Sequence, residues 1–214
     1  MKHTLLLIIT FFQVSLFAQT AKEIAQQQIM DLKKGYLIVL VETNQNKIHA
    51  LEKAKLQSSN HSNIDESIKD LIEQSIINRE KLKLALDSFY VFSKVLLIPD
   101  SLYSSNSNPR FFYNDQWELV EKNLDNQAYF YFIKGITQSV GLEAYIIRNH
   151  DGNDLKPPFP YYVRRNHIFN SFLNVFDQSK DANRQISSII KKVQSKLKKF
   201  YLTVQQNNAT NESN

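Results

Sequence analysis

Between Gly35 and Thr43-Asn44 lies Tyr36-Leu37-Ile38-Val39-Leu40-Val41, an apolar run with no polar interruption. A strand with one wet face alternates apolar and polar residues. One that is apolar throughout and rich in β-branched side chains must be covered on both faces. The run therefore calls for a sheet sandwiched between helices. Val91 to Ile98, ended by Pro99-Asp100, reads as a second apolar strand, interrupted by Ser93-Lys94, and the sequence between the two runs is helical in character. Lys47 to Gln57 carries Ile48, Leu51 and Leu56. After a polar break at residues 58–62, Asn63 and Glu66 have capping-box spacing ahead of a stripe of Ile64, Ile68, Leu71, Ile72, Ile76, Leu82, Leu86 and Phe89. Strand, helices, strand is a crossover, so the two apolar strands are expected to be parallel.

Residues 20–34 read as an amphipathic helix with Ile24, Gln28, Ile29 and Leu32 on one face and Gly35 as its stop. Residues 99–110 are rich in Ser, Asn and Pro and read as a loop. Short strands are expected within 110–120, 127–134 and 142–148. Asp151-Gly152 signals a hairpin turn returning the chain through 159–163. Residues 182–201 form a closing amphipathic helix that buries Ile186, Ile189, Ile190, Val193, Leu197 and Phe200. The expected class is α/β or α+β, with a mixed sheet of about five strands covered by helices. The order is loosely thioredoxin-like, without redox cysteines.

Met1-Lys2-His3 followed by an apolar stretch of about 13 residues, Leu5 to Phe17, and then Ala18-Gln19, has the three parts of a secretory signal. The stretch falls short of the ~20 residues that span a bilayer. The expected organisation is a signal peptide over 1–18, one globular domain over 19–203 and a disordered polar tail over 204–214. Export places the domain in the periplasm or outside the cell. The chain has no cysteine, which excludes disulfides, thiol chemistry and metal–thiolate sites. Its core must suffice. A net charge of +5 is ordinary, but Lys191, Lys192, Lys196, Lys198 and Lys199 crowd one stretch of the closing helix. Such a run is either a solvated helix face or an attraction to an anionic membrane or polymer. No nucleic-acid recognition motif accompanies it.

Catalytic signatures are lacking. There is no G-x-S-x-G, no glycine-rich phosphate loop and no calcium-loop pattern around Asp151 and Asp154. His49, His61, His150 and His167 are not spaced as metal ligands. No metal or other cofactor is implied. The segment that stands out is Lys156-Pro157-Pro158-Phe159-Pro160-Tyr161-Tyr162, followed by Arg164, Arg165 and His167. Stiff Pro-aromatic segments either turn the chain over its core or present a surface for peptides or sugars. Phe159, Tyr161, Tyr162, Arg164, Arg165 and His167 are accordingly the candidate binding residues.

Leu32-Lys33-Lys34-Gly35-Tyr36-Leu37-Ile38-Val39-Leu40 and Pro158-Phe159-Pro160-Tyr161-Tyr162-Val163 are the pieces by which the chain resembles a family of uncharacterised exported bacterial proteins. The resemblance implies export and a single domain, and it carries over no catalytic residue. The function expected from the sequence is that of an exported, non-catalytic binding domain of the cell envelope, with an envelope protein or glycan as partner. The alternatives are an enzyme with a site near Arg164, Arg165 and His167, and peripheral attachment to an anionic surface through the basic helix.

Overall fold

The computed structural model describes residues 21–57, 61–103, 108–164 and 178–212, with side chains of the last helix from 184 to 210. The expected signal peptide lies outside the described residues. Helix α1 (21–34) leads directly into strand β1 (Tyr36–Val41), whose residues are almost all buried. Two helices follow, α2 (Gln45–Lys55) and α3 (His61–Phe89), before β2 (Lys94–Pro99). A short hairpin, β3 (Phe111–Tyr113) and β4 (Leu119–Glu121), precedes β5 (Tyr129–Ile136), β6 (Glu143–Arg148) and β7 (Tyr162–Arg164). Helix α4 (Gln178–Glu212) closes the fold.

The strands form one mixed sheet in the order β4-β3-β2-β1-β5-β6-β7. β1 is central and parallel to both β2 and β5, while the remaining neighbours pair antiparallel. The α/β class and the parallel β1–β2 crossover are as the sequence led us to expect. The strand number and the thioredoxin-like order are not. The sheet has seven strands because residues 110–120 make a complete hairpin rather than one strand, extending the β2 side.

Burial of β1 on both faces is direct. Leu37, Val39 and Val41 lie on one face, in line with Phe130 and Phe132, and Ile38 lies on the other beside Tyr131; all are core residues. Tyr103 meets Tyr131 edge-on at 4.8 Å between ring centres. On the Val39–Phe132 face, α3 and α4 pack against each other. The α4 side chains Ile189, Ile190, Val193, Leu197 and Val204 are buried at helical spacing. Near the amino end of the parallel strands, Lys33 donates to the Phe92 carbonyl at 2.7 Å, and Phe92 meets Tyr201 of α4 edge-on.

Several local expectations are corrected. α1 buries Ala25, Ile29 and Leu32, leaving Ile24 exposed, because the stripe turns by one residue to keep i, i+4, i+7 spacing. Asn63 lies inside α3 rather than capping it, and its carbonyl accepts from Ser67 Oγ. Of the long apolar stripe of α3, only Leu86 is fully buried, together with Ala85; Ile72 and Ile76 are exposed. Val91 is exposed, and β2 begins only at Lys94. α4 continues to Glu212, so residues 205–212 are helical where their composition suggests a disordered tail. Asp151-Gly152 does make a tight turn, with Gly152 at φ 79°, but it closes only the Arg148–Asp154 bridge. The chain then travels through the proline segment before pairing as β7.

Candidate functional site

The aromatic side chains of the proline segment do not form a surface. Phe159 is 2% exposed and meets Phe200 of α4 edge-on, and Tyr161 is 5% exposed with its hydroxyl bonded to Ser139. The prolines turn the chain so that these rings enter the core, which is the structural role such segments also serve. The cis peptide bond of the segment is Pro157–Pro158, not Phe159–Pro160. Tyr162 is half-buried, with Lys196 Nζ donating to its carbonyl and lying 5.5 Å from its ring centre. Arg164 is exposed at the end of β7, opposite Ala144, on the sheet face away from Tyr145. Arg165 and His167 lie outside the described residues. The four described candidates form no common surface: two are core, one is half-buried and one is an exposed edge residue.

A cleft lies elsewhere. Chain direction reverses about β1, since β1 connects to β2 on one side and β5 turns to β6 on the other. In open α/β sheets, loops leaving adjacent strands in opposite directions open a crevice above their carboxyl ends. Here that crevice is a cleft of about 420 Å³ between the sheet, α3 and α4. Its floor is apolar, built from Val39, Val41 and Phe132 on the sheet and Leu82 and Ile186 on the helices. Two smaller lobes of about 260 and 190 Å³ share its rim residues Glu42 and Lys134.

Glu42 and Lys134, at the carboxyl ends of β1 and β5, form an ion pair at 2.7 Å across the crevice. Both are exposed, so the pair contributes little stability. It positions the rim more than it holds the fold. Asp100 follows β2, and its Oδ1 accepts from both the backbone N–H, at 3.0 Å, and the hydroxyl of Thr43, tying the β1 and β2 exits together. Asn44, in the left-handed conformation at φ 55°, starts α2 and donates from its side chain to Ser75 of α3 at 2.8 Å.

Arg79 comes from α3. Its guanidinium lies 4.9 Å from the centre of the Trp117 ring, and its Nε is buried with no hydrogen-bond partner among the described residues. Trp117 sits in the β3–β4 turn, edge-on to Tyr113 at 5.4 Å. The same turn is tethered to α3 by Lys83, which reaches Asp115 at 3.2 Å and Asp87 at 2.9 Å; hydrogen bonds to these carboxylates raise its pKa. Burial pushes the Tyr113 hydroxyl up, an effect that Arg79 opposes and Asp100 reinforces.

Sequence reasoning missed Glu42, Arg79, Asp100 and Lys134, which no motif unites. One signal was present: Glu42 and Asp100 are the first charged residues after two runs read as parallel strands, where a ligand crevice is expected. Among the described residues no group of three or more His, Asp or Glu is placed to hold a metal ion.

Fold and site together define a mixed-sheet α/β protein with a ligand-sized cleft at the topological switch point. Compared with family models, curated proteins and solved structures, the chain matches none.

Proposed function

We infer that this chain is an exported, non-catalytic binding protein whose ligand is a small amphipathic molecule seated in the cleft above β1, β2 and β5. The carrying observation is the cleft itself, an apolar floor framed by charged and amide side chains from separate elements, the usual make-up of a ligand pocket. Export is supported by the leader-like residues 1–18 and by the resemblance to exported proteins. The partner expected from the sequence, an envelope protein or glycan gripped by aromatics at 159–162, gives way to a small ligand because those aromatics are largely buried.

The reading is tested by thermal denaturation of the mature chain with medium-chain alcohols, amines and carboxylates. A ligand that binds the native state raises its apparent stability. At least one class should do so, and Ile186→Trp, which fills the cleft from its α4 wall, should abolish the effect. No stabilisation by any class, or stabilisation untouched by Ile186→Trp, rejects the cleft. Sequencing the amino terminus of the envelope-fraction protein tests export; a start near Ala18 or Gln19 is expected, and an intact Met1 refutes it.

A second reading has its own observation. From Arg184 to Asn211 the helix contains no acidic residue, and Lys191, Lys192, Lys198 and Lys199 are exposed along it. None of these four is in an ion pair among the described residues; Lys191 lies 4.0 Å from the Phe89 ring centre. The face is suited to an anionic surface, and no described helix is long and apolar enough to cross a membrane. Co-sedimentation with phosphatidylglycerol vesicles that weakens steeply with salt is the expected result. Equal binding to neutral vesicles would exclude this reading.

A further inference from the structure

We propose that the cleft selects an organic anion, a carboxylate or its equivalent carried on an apolar body, and that Arg79 is the residue that grips the charged head. The inference rests on the cleft being the ligand site and names the class of ligand.

Three observations converge on Arg79. It lines the cleft from the α3 wall, next to the apolar floor formed by Leu82, Val39 and Phe132. It makes no ion pair among the described residues, and its buried Nε has no partner, so part of a fixed fork of donors is left unused in a partly desolvated place. A guanidinium whose desolvation no protein carboxylate offsets is costly, and a carboxylate at its terminal nitrogens lowers that cost through short, charge-assisted bonds.

The third observation is behind it. Trp117 supports the guanidinium from a backbone with φ 62°, a left-handed conformation that bulky residues rarely adopt. Strain of this kind persists where the surroundings enforce it, and it gathers at binding sites. Asn114 enforces it here: its side-chain oxygen accepts from the N–H groups of Gln116 at 3.0 Å and Glu118 at 2.8 Å, and its backbone carbonyl from Trp117 N–H at 3.1 Å. The turn holds the indole 4.9 Å from the guanidinium.

The other charges of the cleft leave this role to Arg79. Lys134 faces Glu42 at 2.7 Å, and Asp100 receives two hydrogen bonds from Thr43. Lys81 lines the same cleft. The cleft as a whole carries three cations, Arg79, Lys81 and Lys134, and two carboxylates, Glu42 and Asp100. A negative head beside Arg79, which has no ion pair among the described residues, therefore meets a favourable local field.

The experiment uses octanoate, octanol and octylamine, which share one tail, with the mature chain. Trp117 is the only tryptophan, so its fluorescence reports beside Arg79. Octanoate is expected to bind at least about tenfold more tightly than octanol and to change the Trp117 emission, with octylamine weakest. Arg79→Gln should bring octanoate down to the octanol level, and Arg79→Lys should fall between. Equal affinities for octanoate and octanol in the unmodified protein, a reading that needs no variant, overturn anion selection while leaving the cleft as a binding site. Octanoate selectivity retained by a folded Arg79→Gln protein overturns the role of Arg79. No binding of any of the three removes the cleft reading itself, and this inference with it.

Discussion

Replacing Gly35 by alanine should cost far more than a glycine at a helix end normally would. As a left-handed helix stop, Gly35 would tolerate Asn and lose only a modest amount to Ala. The structure gives a different reason for glycine. Gly35 is not among the residues with positive φ; it is a place where two backbones touch. A Cβ there would lie 2.8 Å from the carbonyl carbon of Ala128, closer still to its oxygen, and 2.9 Å from the Asp31 oxygen. Neither oxygen can retreat freely. The Ala128 oxygen accepts from Tyr36 N–H at 3.0 Å, where β5 joins β1, and the Asp31 oxygen accepts from Gly35 N–H at 2.8 Å. Relief therefore means breaking a hydrogen bond and prising β1 from β5. A cost of about 3 kcal/mol, at the upper end of overpacking, is expected. For a chain of this size that corresponds to a fall in Tm of roughly 6–12 °C. Gly141 is the control: it has φ 64° and no heavy atom near its would-be Cβ, so Gly141→Ala should cost about 1 kcal/mol, the left-handed penalty alone. Urea denaturation followed by circular dichroism measures both, and Gly35→Asn should be at least as harmful as Gly35→Ala. Equal losses at the two glycines, or a Gly35→Asn protein as stable as the parent, would refute the crowding argument.

Phe159→Ala is expected to lower stability by about 3–5 kcal/mol, as deletion of a buried ring does; an unchanged urea midpoint would restore Phe159 to the surface. Asp154→Ala removes the carboxylate whose Oδ1 lies 2.7 Å from Arg148 Nε, with both side chains largely covered, and whose Oδ2 accepts from Gln138 N–H at 2.6 Å, and should cost about 3–5 kcal/mol. The Arg148→Met/Asp154→Leu double variant should recover much of that loss, and a double variant worse than the single would show that the pair is net stabilising. Burial raises the pKa of Tyr90 and Tyr131 above the ordinary value of 10.0, so the folded state holds these protons more tightly than the unfolded one. Their contribution is complete below pH 10 and is lost as pH rises beyond it. Tyr131→Phe should flatten the alkaline fall in stability, and a slope identical to the parent's would exclude Tyr131 as its source.

The fold was legible where one physical demand dominates. Tyr36–Val41 has no polar residue to place in water, so two-sided burial and a covered central strand follow from composition alone. The closing helix was legible for a related reason: Ile186, Ile190, Val193 and Leu197 keep one stripe, and the structure buries or half-buries all four. Strands that rely on neighbours were less legible. Phe111–Tyr113 and Leu119–Glu121 are three residues each, and their hairpin depends on the hydrogen bonds of Asn114, which no hydropathy pattern reports. The first half of α3 misleads in the opposite sense. Its isoleucines repeat at helical spacing, but Ile72 and Ile76 remain exposed, because periodicity reports that a helix has an apolar side and not that another element covers it.

The site was less legible still, and for two distinct reasons. At Phe159 and Tyr161 the sequence offered aromatics stiffened by proline, and such rings are equally suited to a surface and to a core. Which one they serve is decided by a turn that aims them at Phe200 and Ser139, and these partners lie far along the chain. At the cleft the difficulty is assembly. Glu42 and Lys134 meet only because β1 and β5 are neighbours, and Arg79 matters only because Trp117 lies behind it. Each of these residues, taken singly, is an ordinary charge following a strand or riding a helix. What gives them a common location is the reversal of chain direction about β1. That reversal depends on inserting β5 beside β1 rather than beyond the β3–β4 hairpin. A single inference, that the Tyr129–Ile133 run belongs at the centre of the sheet because it is almost wholly apolar, would have placed the crevice and brought its rim residues together.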